Sequence, residues 1–373
     1  MKKSLDNLKI ACVYDWFDTS GGAERILPVI AKLLPHAHWY SSVVKKDKTL
    51  GLKITPSFIQ RIPFLRSHRL LSLPLYPFAF ESFDFTGYDL VLSITSSFAK
   101  GIITRPETPH ICYMLTPTRF LWSGEDDYIS PVAQKLLKPV ITHLKKWDKI
   151  ASERPDRYIA ISKTVSKRIK DIYNKDSSVI YPPFPINYWE GQLRHTSPPS
   201  TPLSDGYYLI VSRLQKYKKV DLAIKAFNKM PQKQLVIVGN GPEKHRLESM
   251  AGNNTRFVEA HSDAQLAFLY GHAKACIMPQ IEDFGYVSLE AQICSCPVIA
   301  YNEGGATESV RHLKTGFLFK EQTSHGIITA IESFEEVAPT IDHHLQAYGS
   351  DVVEPYSESH FVESFIKEIH SVL

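Results

Sequence analysis

Twice along this chain, a short apolar run ends in a glycine-bearing loop and passes directly into an amphipathic helical pattern. The first is a strand pattern over 9–14, then Asp15-Trp-Phe-Asp-Thr-Ser-Gly21-Gly22-Ala-Glu24-Arg25, then a helix through Leu34. The second runs as a strand over 207–212, a helix over 220–229, a strand over 234–238, then Gly239-Asn240-Gly241-Pro242 and a helix over 243–250. Short apolar runs alternating with helices demand crossover connections, and therefore a mostly parallel sheet with helices on both faces. Strands over 90–94, 110–114, 158–161 and 179–181, with a helix over 132–154, extend the first set. Strands over 256–259, 275–278, 296–301 and 317–319 extend the second. Arg194-His-Thr-Ser-Pro-Pro-Ser-Thr-Pro-Leu-Ser-Asp-Gly206 has the composition of a linker. The expected fold is α/β, with two Rossmann-like, doubly wound domains over 1–195 and 196–355 facing each other across a cleft. Apolar positions at 361, 362, 365, 366, 369 and 372 predict a closing helix within 356–373, packing back toward the first domain.

Charge separates along the chain. Residues 1–195 hold 28 Lys+Arg against 18 Asp+Glu, a net of +10, and the remainder is −6. A basic front half suits an anionic partner such as a membrane surface, a lipid diphosphate or nucleic acid; segregated solvated charge is the plainer reading. No RNA-binding aromatic motif or zinc finger accompanies the charge, so nucleic acid is not expected. No apolar run approaches the roughly 20 residues of a spanning helix, and no secretory signal is evident at the start. Five cysteines, without any Cys-x-x-Cys, fit a reducing cytoplasm better than a disulfide framework or structural zinc.

Chemistry concentrates at 282–290, where Glu282-Asp-Phe-Gly-Tyr-Val-Ser-Leu-Glu290 crosses from loop to helix. Gly285 permits close backbone approach, and the amides of a helix beginning near Tyr286 favour phosphate oxygens. A carboxylate accepts both hydroxyls of a vicinal diol, so Glu290 suits a ribose and Glu282 a hexose. An ordinary acidic helix start has the same composition. Arg213 and Lys218 follow the first strand of the second half, where open α/β sheets bind ligands, and two cations there neutralise a leaving diphosphate. A solvent-exposed basic turn is the alternative. Gly239-Asn240-Gly241 lacks the third glycine of a dinucleotide fingerprint, so a dehydrogenase is a weak reading. The paired Gly304-Gly305 allows close approach to a sugar or phosphate, or is a plain turn.

The Glu282–Glu290 spacing resembles the signature of the retaining family 4 glycosyltransferases, which have the GT-B architecture, and other motifs agree in order across both halves. Ser212-Arg213-Leu…Lys218-Lys219 is similar to that family's Gly-Arg-Leu…Lys-Gly, with Ser212 before the arginine and Lys219 in place of glycine. The resemblance implies donor contacts from Gly21, Gly22, Arg213, Lys218, Gly239, Asn240, Val258, Glu282, Phe284, Gly285, Tyr286, Val287 and Glu290. Val258 belongs there as the neighbour of the nucleobase. The stretch 113–122 is similar to the His-Thr-Pro-x-Arg-Tyr-x-Trp segment of bacterial members that build cell-surface polysaccharides, but Leu115 stands where many have histidine. Asp15, Thr116, Arg119 and Trp122 are the candidate acceptor residues, and Gly124-Glu125-Asp126-Asp127-Tyr128 follows them.

The implied function is retaining hexosyl transfer from a nucleotide sugar, UDP-hexose before GDP-mannose, to a glycan or lipid-diphosphate-linked acceptor. Arg213, Lys218 and Glu282 are the catalytic candidates. No metal or cofactor is expected: Asp-x-Asp is absent from the sequence, and fixed cations with helix N-termini can carry the diphosphate charge. An epimerase or sugar-phosphate synthase would share the donor site, and a non-catalytic nucleotide-sugar-binding subunit would fit Leu115. The expected location is cytoplasmic and peripheral on the membrane. The segment Arg61-Ile-Pro-Phe-Leu-Arg66-Ser-His-Arg69, leading into an apolar run to Phe78, is the candidate contact unless 70–80 pack inside.

Overall fold

In the computed structural model, residues 5–18, 21–123, 131–199, 203 and 206–373 are described. They form two compact units, Met1–Pro183 with Glu358–Leu373, and Phe184–Ser357. The first is built on a seven-stranded sheet ordered β3-β2-β1-β4-β5-β6-β7. Its strands are β1 (Ile10–Tyr14), β2 (His38–Ser41), β3 (Ile54–Pro56), β4 (Leu90–Thr95), β5 (His110–Met114), β6 (Arg157–Ala160) and β7 (Ser178–Val179). All neighbours pair in parallel. The central strands β1, β4 and β5 are buried at every position, as a sheet covered on both faces requires.

The second unit repeats the winding with β8 (Tyr207–Val211), β9 (Leu235–Val238), β10 (Thr255–Val258), β11 (Ala273–Met278), β12 (Val298–Tyr301) and β13 (Gly316–Phe319). Their order is β10-β9-β8-β11-β12-β13, again all parallel. The order reverses between β8 and β11, and a doubly wound sheet opens a crevice beyond the strand ends at such a point. One face packs Ala223, Ile224 and Phe227 of helix Val220–Phe227 with Ile327, Ile331 and Phe334 of helix Ser324–Val353.

The unit boundaries differ from the expected 195/196 and 355/356. Helix Ile186–Arg194 belongs to the second unit, because Trp189 is buried there, stacked on Phe184 and edge-on to Tyr270. The described residues of the proline-rich stretch, 194–199, 203 and 206, therefore belong to that unit, and the rest of the expected linker lies outside the described residues. The chain crosses between units again at 357–358, and beside the first crossing Phe184 N–H donates to the Tyr356 carbonyl at 2.7 Å. Helix Glu358–Val372 is part of the first unit: Phe361 and Phe365 pack edge-on against Tyr113, and Lys32 reaches Glu358 at 3.3 Å.

Candidate functional site

The strands β8 and β11 are neighbours in the sheet although far apart in sequence, so the loops that leave them meet at the reversal point. The β8 loop is held by backbone contacts with the β9 loop. Ser212 N–H donates to Val238 at 3.0 Å, and Leu214 N–H donates to Asn240 at 2.8 Å. A Cβ on Gly239 would lie 1.8 Å from the Ser212 carbonyl oxygen, and one on Gly241 would lie 2.3 Å from that of Leu214. These glycines thus let two loops touch, and Asn240 Oδ1 accepts the Gly241 amide at 2.7 Å. Arg213 emerges from this clamp exposed, with no side-chain partner among the described residues. Lys219 takes φ 54° and ψ 26° at the head of helix Val220–Phe227. That left-handed conformation is why a glycine suits this position, and a side chain there costs about 1 kcal/mol.

Across the reversal, Lys218 Nζ forms an ion pair with Glu282, and Gln280 Nε2 donates to the same carboxylate at 2.8 Å. The Lys218 and Glu282 side chains are 12% and 15% exposed, so the pair sits at the rim of the protein interior. The Glu282 carbonyl accepts the Gly305 amide at 2.8 Å. Gly304, at φ 78°, has room only for hydrogen, since a Cβ would lie 2.5 Å from that same carbonyl oxygen. The paired glycines therefore seat the backbone of Glu282, and Gly304 takes the left-handed conformation of the plain turn that was the other reading.

Gly285 takes φ 88° and opens helix Tyr286–Ile293. The Val287 amide, in its first turn, has no acceptor among the described residues. Tyr286 and Val287 are partly exposed, whereas Phe284 is buried against Tyr286 and Tyr356. One turn on, Glu290 is only 3% exposed and accepts the Tyr270 hydroxyl at 3.1 Å. Burial raises the Tyr270 phenol well above its ordinary range, and the Glu290 carboxylate raises it further. Val258 ends β10 and is buried.

The candidate acceptor residues of the first unit serve mainly its interior. Asp15 is fully buried, and its carboxylate accepts the Thr95 hydroxyl at 2.9 Å and the amides of Ser96, Phe98 and Ala99 at 2.7–2.9 Å. Burial raises its carboxyl above the usual range, against the pull of those amides and that hydroxyl. This carboxylate staples the loops after β1 and β4, so it does not present itself to an acceptor. Trp122, partly exposed, donates through Nε1 to Asp148 at 2.7 Å. Thr116 and Leu115 are buried, and Thr116 Oγ1 has no hydrogen-bond partner among the described residues. Arg119 is partly exposed at the start of helix Arg119–Trp122. Gly21 and Gly22 precede a short 3-10 turn, and Gly22 at φ −65° needs no glycine for its conformation. Residues Gly124–Tyr128 lie outside the described residues.

Sequence reasoning missed Gln280 and Tyr270, which hold the two glutamates, and the buried pair Lys100–Asp148. No local signal marks these residues, since their partners come from other elements. Among the described residues no three His, Cys, Asp or Glu side chains come together as a metal-holding group, and no helix is long and apolar enough to cross a membrane.

Residues 196–349 match the protein family described as Glycosyl transferases group 1. The matched region contains Arg213, Lys218, Glu282 and Glu290, the residues brought to the reversal point and the helix beside it. Over 230 residues the chain is 26% identical to Alpha-1,3/1,6-mannosyltransferase ALG2 of Homo sapiens, covering 55% of this chain and 55% of that protein. Over 129 residues it is 33% identical to the D-inositol 3-phosphate glycosyltransferase of Mycobacterium leprae, covering 31% of this chain and 30% of that one. The aligned region thus spans about half the length, or less, of these curated relatives. Among solved structures, Alr3699/HepE of Anabaena in complex with UDP superposes with a TM-score of 0.67 at 20% identity, covering 98% of this chain and 100% of that one. Sucrose-phosphate synthase of Thermosynechococcus elongatus gives 0.73 at 17% identity, covering 98% and 99%. These likenesses carry the fold, the two Rossmann-like sheets of the GT-B architecture expected from the sequence.

Proposed function

We propose that the chain is a retaining, metal-independent glycosyltransferase that moves a hexose from a nucleotide sugar to a glycan or lipid-linked acceptor. The observation that carries this reading is the meeting of Arg213, the Lys218–Glu282 pair and the Gly285 helix start around one sheet reversal in the region that matches the group 1 family. Arg213, Lys218 and the Val287 amide offer positive charge to a diphosphate, which makes a bound cation unnecessary there. Glu282 takes the transferred hexose and Glu290 the ribose. In the reaction the bond from the sugar's anomeric carbon to the diphosphate breaks, the acceptor oxygen bonds to that carbon, and the released diphosphate takes up the acceptor proton. Retention rests on the Glu282–Glu290 resemblance. UDP-hexose is preferred as donor because the Anabaena relative was solved with UDP and with UDP-glucose. GDP-mannose comes next, given the mannosyltransferase name of the human relative.

Glu290→Gln tests the ribose assignment while preserving side-chain shape and an acceptor for Tyr270. A lost hydrogen bond to a buried charged group costs about 1.5–3 kcal/mol, so the Kd for the cognate nucleoside diphosphate is expected to rise roughly ten- to a hundredfold. Calorimetric titration measures it. UDP and GDP binding both unchanged from wild type would remove Glu290 from the donor site.

A further inference from the structure

Of the twelve exposed large apolar side chains among the described residues, six fall between Phe58 and Phe78 of the first unit, so the exposure is concentrated on one stretch. That stretch is a series of short helices, Pro63–Ser67, Arg69–Ser72 and Tyr76–Glu81, preceded by a 3-10 turn Phe58–Arg61. Its inner side is anchored: Ile59, Leu73, Tyr76 and Phe80 are buried in the core of that unit. The Gln60 amide brackets the Val44 backbone at 2.9 and 3.0 Å, and Ser72 Oγ donates to the Leu65 carbonyl at 2.6 Å. Its outer side carries Phe64 at 60%, Phe78 at 59% and Leu71 at 54% exposure, with Ile62 and Leu70. The segment thus packs inside along one face and leaves an apolar face exposed along the other.

We propose that this outer face docks on an anionic bilayer surface. Charge complementarity selects that occupant. From Lys48 to Phe80 the chain has five Lys or Arg and no Asp or Glu. Lys53, Arg61 and Arg66 are exposed and have no side-chain partner among the described residues. Arg69 is different: it pairs with Asp18 and lies 4.6 Å over the Trp16 ring, so it braces the stretch rather than meeting lipid, which corrects the sequence expectation. Apolar side chains rimmed by unpaired cations match an interfacial helix seated at the headgroup boundary. A second copy of the chain fits poorly, because a two-fold contact would bring the cationic rims together. The proposal stands on the first unit alone and is independent of the donor chemistry.

Flotation of the full chain tests it, using vesicles of phosphatidylcholine alone and of equal parts phosphatidylcholine and phosphatidylglycerol. The chain is expected to float with the anionic vesicles only, and less so as salt screens the charges. Phe64→Ser with Leu71→Ser abolishes flotation, at a melting temperature and UDP affinity equal to wild type. Arg61→Gln and Arg66→Gln each lower partitioning about fivefold. Ile103→Ser, which removes an exposed apolar side chain elsewhere, leaves flotation intact. Equal flotation with neutral vesicles overturns the proposal, and so does none with either. A dimer in sedimentation that disappears in the Phe64→Ser, Leu71→Ser variant would assign the face to a second copy instead.

Discussion

Lys218→Ala is expected to lower kcat on the order of 10²-fold while nucleotide-sugar KM changes only a few-fold. The reasoning runs from charge. Negative charge grows on the leaving diphosphate as the glycosidic bond breaks, so a fixed cation lowers the barrier more than it tightens ground-state binding. Lys218 is fixed by Glu282, which Gln280 holds in turn, and the ammonium therefore needs little reorganisation at the moment of reaction. Arg213 has its backbone clamped by the Gly239–Gly241 loop and is expected to show a similar loss as Arg213→Ala. Steady-state release of the nucleoside diphosphate reads both constants. A raised KM at unchanged kcat would mean that these cations bind the donor without assisting bond cleavage.

The largest stability effect is expected at a pair that does not touch the donor site. Lys100 and Asp148 are 1% and 0% exposed, with Nζ 2.5 Å from Oδ1. Asp148 also accepts the Thr118 hydroxyl at 3.0 Å, the Trp122 indole at 2.7 Å and the Tyr173 hydroxyl at 2.7 Å. Lys100→Met keeps the volume and leaves that carboxylate buried without its counter-charge. Breaking a buried pair this way costs about 3–5 kcal/mol. For a unit of this size, that lowers the melting temperature by roughly 10 °C. Adding Asp148→Asn removes the stranded charge and should recover part of the loss. Calorimetry of the first unit's transition is the measurement, and a fall of less than about 2 °C would show the pair to be dispensable.

Much of the fold was legible because the parallel strands that matter are apolar throughout. β4, β5, β8 and β9 stood out as runs flanked by polar loops. β2 and β3 did not, since His38–Ser41 alternates in burial over four residues and Ile54–Pro56 is largely exposed. The 30-residue helix Ser324–Val353 was also missed; Gly326 and Pro339 interrupt its pattern, and packing against the second unit's core holds it instead. At the site, Lys218 and Glu282 were legible because both follow strands that a doubly wound order makes adjacent. The glycines stayed open to two readings. Gly239 and Gly304 are needed where backbone meets backbone, which spacing alone does not distinguish from backbone meeting ligand. The hydrogen bonds that hold Asp15 and Trp122 were not legible, because their partners are 80 or more and 26 residues away in sequence, beyond any local pattern.

Nucleoside-diphosphate binding in the presence of EDTA tests the central claim most directly. UDP and GDP are titrated separately into the wild-type chain by calorimetry, with the chelator in both solutions. One of the two is expected to bind in EDTA with the same Kd as in added Mg²⁺, because Arg213, Lys218 and the Gly285 helix start supply the charge. Binding of neither, or binding that is lost in EDTA and restored by Mg²⁺, would contradict a metal-independent nucleotide-sugar site at this sheet reversal.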